Sequence, residues 1–394
     1  MRALLFILLP FLSLASASNQ VVAWGAGTVV NPDNLHDFGQ SAVPAGLTNV
    51  VEVAGGGRHS LALLANGTLQ GWGDDSLSEL DFSTAGASNY LAVACGLQHS
   101  LALRTNGTVA VTAGDNSFGQ ISVPSGLSNV VAIACGFYHS LALKSDGTVV
   151  AWGGNNFEGS QINYGQGAVP PGLSNVVAIA AGSYHNLVLK SDGTLLAWGL
   201  NSSGQTNIPS GLSNVLAVAA GAEHNVVVKA DGTLQAWGAD EYGQLDGAAG
   251  LSNVVALAAG GWHTLALKTD GTVVAWGAGS GTNLNLDYGQ STVPSGLTNV
   301  VQVAAGGWHS LALVGSGPPK VKVPLAGVGW GTNGFAAQCP TRNGRVYRLE
   351  YNLGLALTNH TWTGFPLQAG LGGTNRFVDP THSAAARFYR VSQW

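Results

Sequence analysis

One sequence phrase recurs seven times along the chain and restricts the fold more than any other feature. Each copy ends a β-rich stretch in Gly-x-x-His and continues through an apolar run, and in six of the seven copies an Asn/Asp-Gly-Thr turn follows, in most of them with Trp-Gly after it. The recurring histidines, spaced 40, 40, 46, 39, 39 and 46 residues apart, are His59, His99, His139, His185, His224, His263 and His309. A period of this length containing several short strands is typical of a β-propeller blade.

Residues 174–199 show the strands that we expect in each repeat. Residues 175–181 predict a first strand and residues 185–190 a second, and Asp192-Gly193 between two apolar runs favours a two-residue hairpin turn. Residues 195–198 predict a third strand, and the Gly-Gln-x-x-x-Pro segment at 204–209 predicts a short fourth. We therefore expect four antiparallel strands in every blade.

The two ends of the repeat array are offset from each other. Residues 21–25 form a third strand with no first or second strand before them, whereas residues 300–314 form a first and second strand with no third after them. Pairing the ends would complete a seventh blade and leave no open end in the ring. The sequence therefore predicts an all-β fold, a seven-bladed β-propeller over residues 18–314 closed by its N-terminal strand.

The first 17 residues have the composition of a secretory signal peptide. Arg2 precedes an apolar stretch over residues 3–14, and Ala15-Ser16-Ala17 forms a small-residue cleavage site. The apolar stretch is too short for a membrane span, and no other segment of the chain is a candidate. We expect a secreted protein, extracellular or periplasmic, with an uncleaved N-terminal anchor as the alternative.

The repeat stops at residue 314. Residues 315–319, Gly-Ser-Gly-Pro-Pro, predict a linker, and the strand-like runs 346–351 and 387–391 predict a small β-rich, sandwich-like domain over residues 320–394. This domain has eight basic and two acidic residues, whereas residues 18–314 have six basic and eighteen acidic residues. The basic domain could dock on the acidic propeller or hold an anionic polymer, and the sequence favours neither.

Over residues 20–314 the repeats resemble those of the regulator of chromosome condensation family. The resemblance rests on Gly-x-x-His-x-x-Ala-Leu, Asp-Gly-Thr-Val, Trp-Gly and Gly-Gln, and the short period is most similar to secreted bacterial members such as the β-lactamase-inhibitory type. It implies a seven-bladed propeller with a protein-binding face in place of a catalytic centre. A secreted chain would meet no guanine-nucleotide-binding partner, so we expect no exchange activity.

Residues that recur in every blade are best explained by structure, and residues that vary are candidates for function. The seven histidines and the Trp-Gly tryptophans recur, with Thr112 replacing the tryptophan in one blade that could be looser at its outer strand. The position before each histidine instead varies in charge and size, as Arg58, Gln98, Tyr138, Tyr184, Glu223, Trp262 and Trp308.

The variable position and the loop after each Trp-Gly are expected on one face, with the Asp-Gly turns on the other, because consecutive strands of a meander alternate in direction. Those loops are acidic, and the residues that we select from them are Asp74, Asp75, Asp240 and Glu241. Aromatic anchors inside a charged rim are typical of a protein interface. The sequence thus predicts a binding protein with an unidentified protein partner. A glycan-binding adhesin is the alternative, and solvated loops over packed aromatic residues are the simplest explanation.

Cys95 and Cys135 occupy the same position in successive repeats. They are either two more small residues at a crowded site or a disulfide between neighbouring blades, which an oxidising compartment would allow.

Other chemistries are less well supported. No set of nucleophile, base and orienting residue stands out, so we expect no enzyme and no cofactor. Asn283, Asn285 and Asp287 alternate as calcium ligands could, but a solvated acidic loop is the simpler interpretation and we expect no metal. The acidic propeller also argues against a nucleic-acid partner.

Overall fold

The structure, a computed structural model, describes most of the propeller and the strands beyond it. The described propeller residues are 19–28, 36–82, 89–111, 114–154, 162–279 and 286–315. The predicted signal peptide, residues 316–319 of the predicted linker, Thr112, Asn283 and Asn285 lie outside the described residues.

Seven three-stranded antiparallel sheets make up the repeat array, each running from the first strand to the third. Blade 1 contains β2 (Val50–Gly55), β3 (His59–Leu64) and β4 (Leu69–Gly73). Blade 2 contains β5 (Tyr90–Cys95), β6 (Ser100–Arg104) and β7 (Val109–Val111). Blade 3 contains β8 (Val130–Cys135), β9 (His139–Lys144) and β10 (Val149–Gly153). Blade 4 contains β11 (Val176–Ala181), β12 (His185–Lys190) and β13 (Leu195–Gly199).

The remaining blades follow the same order. Blade 5 contains β14 (Val215–Ala220), β15 (His224–Lys229) and β16 (Leu234–Gly238). Blade 6 contains β17 (Val254–Ala259), β18 (His263–Lys268) and β19 (Val273–Gly277), and a short 3-10 helix, Asp246–Ala248, precedes it. Blade 7 contains β20 (Val300–Ala305), β21 (His309–Val314) and β1 (Gln20–Gly25).

Blade 7 confirms the predicted closure of the ring. Its third strand, β1, comes from the start of the array and pairs antiparallel with β21 from the end, in a register from Gln20 opposite Val314 to Gly25 opposite His309. Trp24 on β1 donates its indole N–H to the backbone oxygen of Gln290, 2.8 Å away. The first and last strands of the array therefore complete one sheet.

The predicted fourth strand is wrong, because the segment after each Trp-Gly uses its backbone groups locally. In the segment from blade 4 to blade 5, the Asn207 N–H donates to the Gly204 oxygen at 2.9 Å and the Leu212 N–H to the Pro209 oxygen at 3.3 Å. Gly204 has a φ of 75°, which does not belong to an extended strand. No described segment between blades pairs as a fourth strand of these sheets.

Among the described propeller residues, the hydrophobic core is divided into seven clusters, each lying between two neighbouring blades. The cluster between blades 3 and 4, for example, joins Leu141 and Leu143 to Val188 and Trp198, all buried. Six clusters contain a Trp-Gly tryptophan. The cluster between blades 1 and 2 contains Phe82 and Tyr90 in its place, with ring centroids 5.8 Å apart. These two rings account for the missing tryptophan of blade 2, whose third strand has three residues.

The seven histidines are structural, and they link each blade to the next. Each Nε2 lies within hydrogen-bond distance of a hydroxyl or amide oxygen one position after the next blade's histidine. The pairs, at 2.8–3.1 Å, are His59–Ser100, His99–Ser140, His139–Asn186, His185–Asn225, His224–Thr264, His263–Ser310 and His309–Ser60. The last pair joins blade 7 to blade 1, so the chain of contacts is closed.

A buried glutamine of the Gly-Gln motif connects this ring to the tryptophans, a role that the sequence analysis did not assign. The backbone oxygen of Gln120 accepts the indole N–H of Trp152 at 2.9 Å and the hydroxyl of Ser140 at 2.8 Å. Its side-chain Oε1 accepts the N–H of Phe118 at 2.9 Å. Gln120 therefore fixes the start of the loop against two strands of its neighbouring blade.

The first strands surround a narrow central channel of about 80 Å³. Cys95 and Cys135 line it at the position filled by glycine or alanine in the other blades, and both are free thiols. Burial raises the pKa of Cys95 to about 12 and that of Cys135 well above its ordinary value, and the neighbouring Cys95 adds to the latter shift. Whether the two thiols form a disulfide between neighbouring blades under oxidising conditions, or only fill a small-residue site, stays a prediction.

Two further sheets lie beyond residue 325, as predicted for a β-rich C-terminal region. One pairs β22 (Ala326–Gly331), β23 (Gly334–Pro340) and β27 (Thr374–Asp379). The other pairs β24 (Val346–Asn352) with β25 (Thr363–Gly364), β26 (Gln368–Ala369) and β28 (Phe388–Gln393). The strands β24 and β28 coincide with the two predicted runs. Across the described residues, no helix has the length and apolar character to cross a bilayer.

Candidate functional site

The variable residues form a ring on one face of the propeller, beside the loops that follow Trp-Gly. The backbone oxygens of Arg58, Tyr184 and Glu223 accept N–H groups from the residues just after Trp-Gly of the same blade, at 2.8–2.9 Å. The same contact joins Gln98, Trp262 and Trp308 to their loops at 2.8–2.9 Å. This face is called the variable face below, and its position confirms the expected placement of the two sets of residues.

The Asp-Gly turns lie at the opposite ends of the strands, on what is called the turn face below. In the repeat at residues 174–199, the N–H of Ser191 at the turn donates to the oxygen of Asn175, just before the first strand, at 2.8 Å. Asn175 has a φ of 57°, in the left-handed region that asparagine tolerates better than most residues. The two faces are thus built from different segments of each repeat.

One side of the variable face carries five aromatic residues, the tyrosine cluster, from blades 3 and 4 and their loops. Its members are Phe118, Phe137, Tyr138, Tyr164 and Tyr184. The rings of Tyr138 and Tyr184 have centroids 6.0 Å apart, and Tyr164 meets Tyr184 edge-on at 5.5 Å. Tyr164 is 41 % exposed, so the cluster presents an open aromatic edge to solvent.

A second group, the tryptophan cluster, lies across blades 6 and 7. It contains His36, Tyr242, Trp262, Tyr288 and Trp308. The rings of Trp262 and Trp308 are 5.8 Å apart, and His36 lies 4.4 Å from Trp308. Trp308 is only 7 % exposed, so it packs against Trp262 and offers little surface to a partner. The sequence had included Trp308 among the residues that contact the partner.

Glu223 stands between the two aromatic clusters in the ring. Its Oε2 accepts the hydroxyl of Ser203 at 2.5 Å and that of Ser202 at 3.4 Å. Burial, the neighbouring tyrosines and the charge of Glu223 together raise the pKa of Tyr184 to about 12. The carboxylate is therefore held in place and its field reaches the tyrosine cluster.

Arg58 and Gln98 fill the other gap in the ring. The Arg58 guanidinium lies over the ring of Phe38, 4.7 Å from its centroid, as a cation–π contact. Burial raises the pKa of Tyr138 and Asp115 adds to the shift, while the positive charge of Arg58 opposes it. Arg58 and Glu223, one basic and one acidic, thus lie in different gaps between the two aromatic clusters.

The variable face is acidic in the described residues, and the turn face is nearly neutral. Arg58 is the one described base on the variable face and its loops, against eleven acids: Asp37, Asp74, Asp75, Glu79, Asp81, Asp115, Glu223, Asp240, Glu241, Asp246 and Asp287. The turn face has five bases, Arg104, Lys144, Lys190, Lys229 and Lys268, and four of them have an aspartate two residues later. Those four lysines form ion pairs at 3.2–3.8 Å.

Several of the acidic residues also hold the loops in shape. Asp74 is 7 % exposed, and its Oδ1 accepts the N–H of Ser76 at 3.0 Å, so its selection as a partner contact is not supported by its position. Asp75 and Asp240 are exposed, and each accepts a backbone N–H five residues later, at 3.0 Å and 2.8 Å. Glu241 is exposed next to Tyr242. Among the acids selected from the sequence, the accessible ones are therefore Asp75, Asp240, Glu241 and the half-buried Glu223.

Sequence reasoning placed the ring residues on one face but missed Tyr164, Phe137 and Ser203. Tyr164 and Ser203 lie two residues before the glutamine of Gly-Gln, where tyrosine and phenylalanine recur and packing is the obvious explanation. Phe137 precedes a ring residue, at a position where the other repeats have glycine, alanine, serine or, once, leucine. The signal for Phe137 was its size at a position that is usually small.

The described residues offer little for acid–base or metal chemistry. No group of three or more histidines, cysteines or acids among them could hold a metal ion. Asp287, considered above for calcium and assigned instead to a solvated loop, accepts the N–H of Gly289 at 3.1 Å. Burial lowers the pKa of His139 and His185 to about 4, which keeps both rings neutral.

The model of the regulator of chromosome condensation (RCC1) repeat matches six segments of the chain. The segments are 50–78, 91–120, 130–159, 176–205, 215–244 and 254–285, one for each of blades 1 to 6. The chain is an RCC1-like repeat propeller. No curated protein sequence matches it with significance.

Solved structures similar to this RCC1-like propeller show the same fold at low sequence identity. Prp20p from Saccharomyces cerevisiae, described with its binding to Gsp1p and histones, is 20 % identical with a TM-score of 0.60, over 78 % of this chain and 93 % of that one. Human WBSCR16 is 20 % identical with a TM-score of 0.57, over 76 % and 99 %. The receptor kinase ACR4 ectodomain from Arabidopsis thaliana is 17 % identical with a TM-score of 0.50, over 77 % and 96 %.

Proposed function

We propose that this RCC1-like propeller is a secreted, non-enzymatic binding protein that recognises a protein partner through its variable face. The observation that carries the proposal is the pair of aromatic clusters on a face whose accessible rim is acidic. Buried aromatic anchors surrounded by charged residues are the usual anatomy of a protein interface. The similar yeast propeller, whose described partners are proteins, supports the same class of function.

A rigid scaffold under the variable face also favours binding. Each ring residue precedes a histidine that is fully buried and bonded to the next blade. A ring held in one conformation loses little conformational entropy when a partner docks. An enzymatic function has no comparable support, since no nucleophile and base converge on the described part of this face.

Capture from the native secreted fraction tests the proposal. The full chain would be immobilised beside a Tyr164→Ala/Trp262→Ala variant, which removes one accessible ring from each cluster, and captured proteins would be quantified by mass spectrometry. We expect a partner whose capture falls at least tenfold in the variant, because central aromatic residues of interfaces contribute about 2 kcal/mol or more each.

A matched control lies on the opposite face. Lys229→Ala/Gln235→Ala truncates two side chains of a groove beside the Asp-Gly turn of blade 5 and should leave capture unchanged. Equal capture by the variable-face variant, or loss in the turn-face variant, would contradict the proposal. Both variants must unfold at the wild-type temperature for the comparison to hold.

A glycan array distinguishes the adhesin alternative. The open edge of Tyr164 could stack on a sugar ring as well as on a protein side chain. Binding of the full chain to a glycan, abolished by Tyr164→Ala, together with no captured protein, would replace the protein partner with a carbohydrate.

Secretion belongs to the same proposal and has its own test. Cleavage after Ala17 would leave the closing strand Gln20–Gly25 intact two residues from the new N-terminus. Mass spectrometry of the protein recovered outside the cytoplasm should give Ser18 as the first residue. Recovery of the protein in the cytoplasm with residues 1–17 attached would contradict secretion.

A further inference from the structure

The gap between the tyrosine and tryptophan clusters is the most distinctive part of the variable face. Backbone hydrogen bonds hold the three blades around it side by side: the Ser183 N–H donates to Ala222, and the Ala222 N–H donates to Gly260, both at 3.2 Å. Tyr184 and Glu223 directly follow Ser183 and Ala222, and Trp262 directly follows Gly261, which also accepts the Ala222 N–H at 3.2 Å. Glu223 therefore occupies the ring position between two aromatic residues.

The carboxylate in this gap is oriented and has room for another donor. The hydroxyls of Ser202 and Ser203 both donate to Oε2 of Glu223, and no contact to Oε1 is seen among the described residues. Glu223 is half-buried, so part of the carboxylate reaches solvent. Nearby Asp240 and Glu241 on the next loop are exposed and add negative charge.

The chemistry of this arrangement selects a cation. Aromatic faces attract a positive charge through their quadrupole, and a partly desolvated carboxylate strengthens the attraction by forming a charge-assisted hydrogen bond. A guanidinium satisfies both interactions at once because it is planar, stacks on aromatic rings and donates to a carboxylate from its edge. An ammonium group can make the same contacts only as a compact point charge.

We infer that the site formed by Tyr184, Glu223 and Trp262 binds an arginine side chain of the partner. This inference rests on the proposed function, since it names the chemistry by which the variable face recognises its protein. The remaining acids of the face steer a partner that is basic around that arginine.

Titration with a small peptide tests this inference without the natural partner. The probe is acetyl-Gly-Gly-Arg-Gly-Gly-amide, compared with its citrulline and lysine counterparts, and the readout is the ¹⁹F spectrum of the full chain labelled with 5-fluorotryptophan. The Trp262 resonance is assigned by its disappearance in Trp262→Phe. We expect the arginine peptide to shift that resonance at lower concentrations than the lysine peptide, and the neutral citrulline peptide to leave it unmoved.

Matched variants locate the effect. Glu223→Gln keeps the shape of the side chain and an oxygen for Ser203 but removes the charge, so we expect affinity for the arginine peptide to fall about five- to tenfold. Asp192→Asn removes one charge from the turn face and should change nothing. Equal shifts with arginine and citrulline, or full affinity in Glu223→Gln, would overturn the inference.

Failure of this inference is distinguishable from failure of the proposed function. If a secreted protein is captured by the wild type and by Glu223→Gln but not by Tyr164→Ala/Trp262→Ala, the variable face binds a protein without an arginine at this site. If capture is independent of the variable face, the proposed function itself is wrong.

Discussion

Each of the seven repeat histidines is neutral because burial penalises its charged form and because Nδ1 has no acceptor for a second proton. In blade 3 the amide N–H of Asn186 donates to the Gln166 oxygen at 2.8 Å, so its Oδ1 accepts from Nε2 of His139. Nδ1 of each ring histidine is buried without a hydrogen-bond partner. Burial accordingly lowers the pKa of His59, His139 and His185 to about 4 and of His99, His224, His263 and His309 to about 3.

These histidines predict a steep loss of stability in mild acid. The folded pKa values lie below the ordinary histidine value of 6.5, so the unfolded state takes up more protons than the folded state as the pH falls from about 6.5 toward 4. Each histidine costs about 1.4 kcal/mol per pH unit inside that window. Urea unfolding between pH 7 and pH 5 should show a slope corresponding to several protons. A free energy of unfolding that stays constant over this range would contradict the prediction.

Glu79 is a second buried titratable residue, and it replaces a glutamine. It is 1 % exposed, and its Oε2 accepts the N–H of Leu77, two residues earlier, at 2.9 Å. Gln120 makes the equivalent contact, in which its Oε1 accepts the N–H of Phe118. Burial is the largest cause that raises the Glu79 pKa, with Asp74 and Asp75 adding to it. An ionised Glu79 therefore destabilises the fold above the ordinary pKa of a glutamate.

We expect Glu79→Gln to stabilise the protein by about 1 kcal/mol at pH 7, since it keeps the hydrogen bond and removes the buried charge. The gain should shrink toward pH 4, where the glutamate is protonated in both states. Thermal unfolding at the two pH values measures it. The reverse change, Gln120→Glu, puts a carboxylate beside Asp115 and should destabilise; a lower melting temperature for Glu79→Gln at pH 7 would refute the argument.

At the level of the strand, β1 differs from every other third strand because no hairpin turn attaches it to its neighbour. Trp24 on β1 and Trp198 on β13 make equivalent contacts, each donating its indole N–H to a glutamine oxygen and filling a core between blades. Only β1 must be held by noncovalent contacts alone. Removing the tryptophan side chain should therefore loosen β1 more than it loosens β13.

Trp24→Ala and Trp198→Ala should each cost about 3–5 kcal/mol, the usual range for removing a buried tryptophan. In Trp24→Ala we expect faster amide hydrogen exchange over Gln20–Gly25 and His309–Val314, since β1 can leave the sheet. In Trp198→Ala the covalent turn at Asp192-Gly193 should keep β13 paired. Identical local exchange in the two variants would contradict this prediction, because β1 would then be held as firmly as a strand attached by a hairpin turn.

The sequence was sufficient for the blades and less so for their contacts. Period and turn residues predicted seven blades and the closing strand, because both depend on local pattern. The fourth strand failed because a Gly-Gln-x-x-x-Pro segment looks extended, whereas Gln120 and its equivalents bond their own loop. The burial of Trp308 under His36 depends on a contact between residues 272 positions apart, which no local pattern reveals.

For the whole molecule, the closed ring surrounds its central channel. Backbone hydrogen bonds join successive blades around it, as from Gly57 to Gly96 at 2.9 Å and from Gly307 to Gly56 at 3.0 Å. Cys95 and Cys135 are partly buried and face this channel as protonated thiols. Because their raised pKa leaves little thiolate, reagents that need a thiolate react with them slowly in the folded protein.

Alkylation by iodoacetamide therefore tests the environment of the two thiols. In the reduced protein at pH 8 we expect the tryptic peptides containing Cys95 and Cys135 to be labelled far more slowly than in denaturant, where the thiol pKa returns to its ordinary value. Peptide mass spectrometry separates them from Cys339. Equally fast labelling of either residue in the native and denatured protein would contradict the prediction.

The position of the closing blade decides where other proteins can be attached. In blade 7 the place of the Asp-Gly turn is taken by two chain ends, with Gln20 opposite Val314. The chain therefore enters and leaves the propeller on the turn face, separated from the variable face by a strand of six residues, or about 20 Å. An affinity tag or a tether at either end of the array would leave the variable face unobstructed, and a short loop between those ends would give a circular permutant.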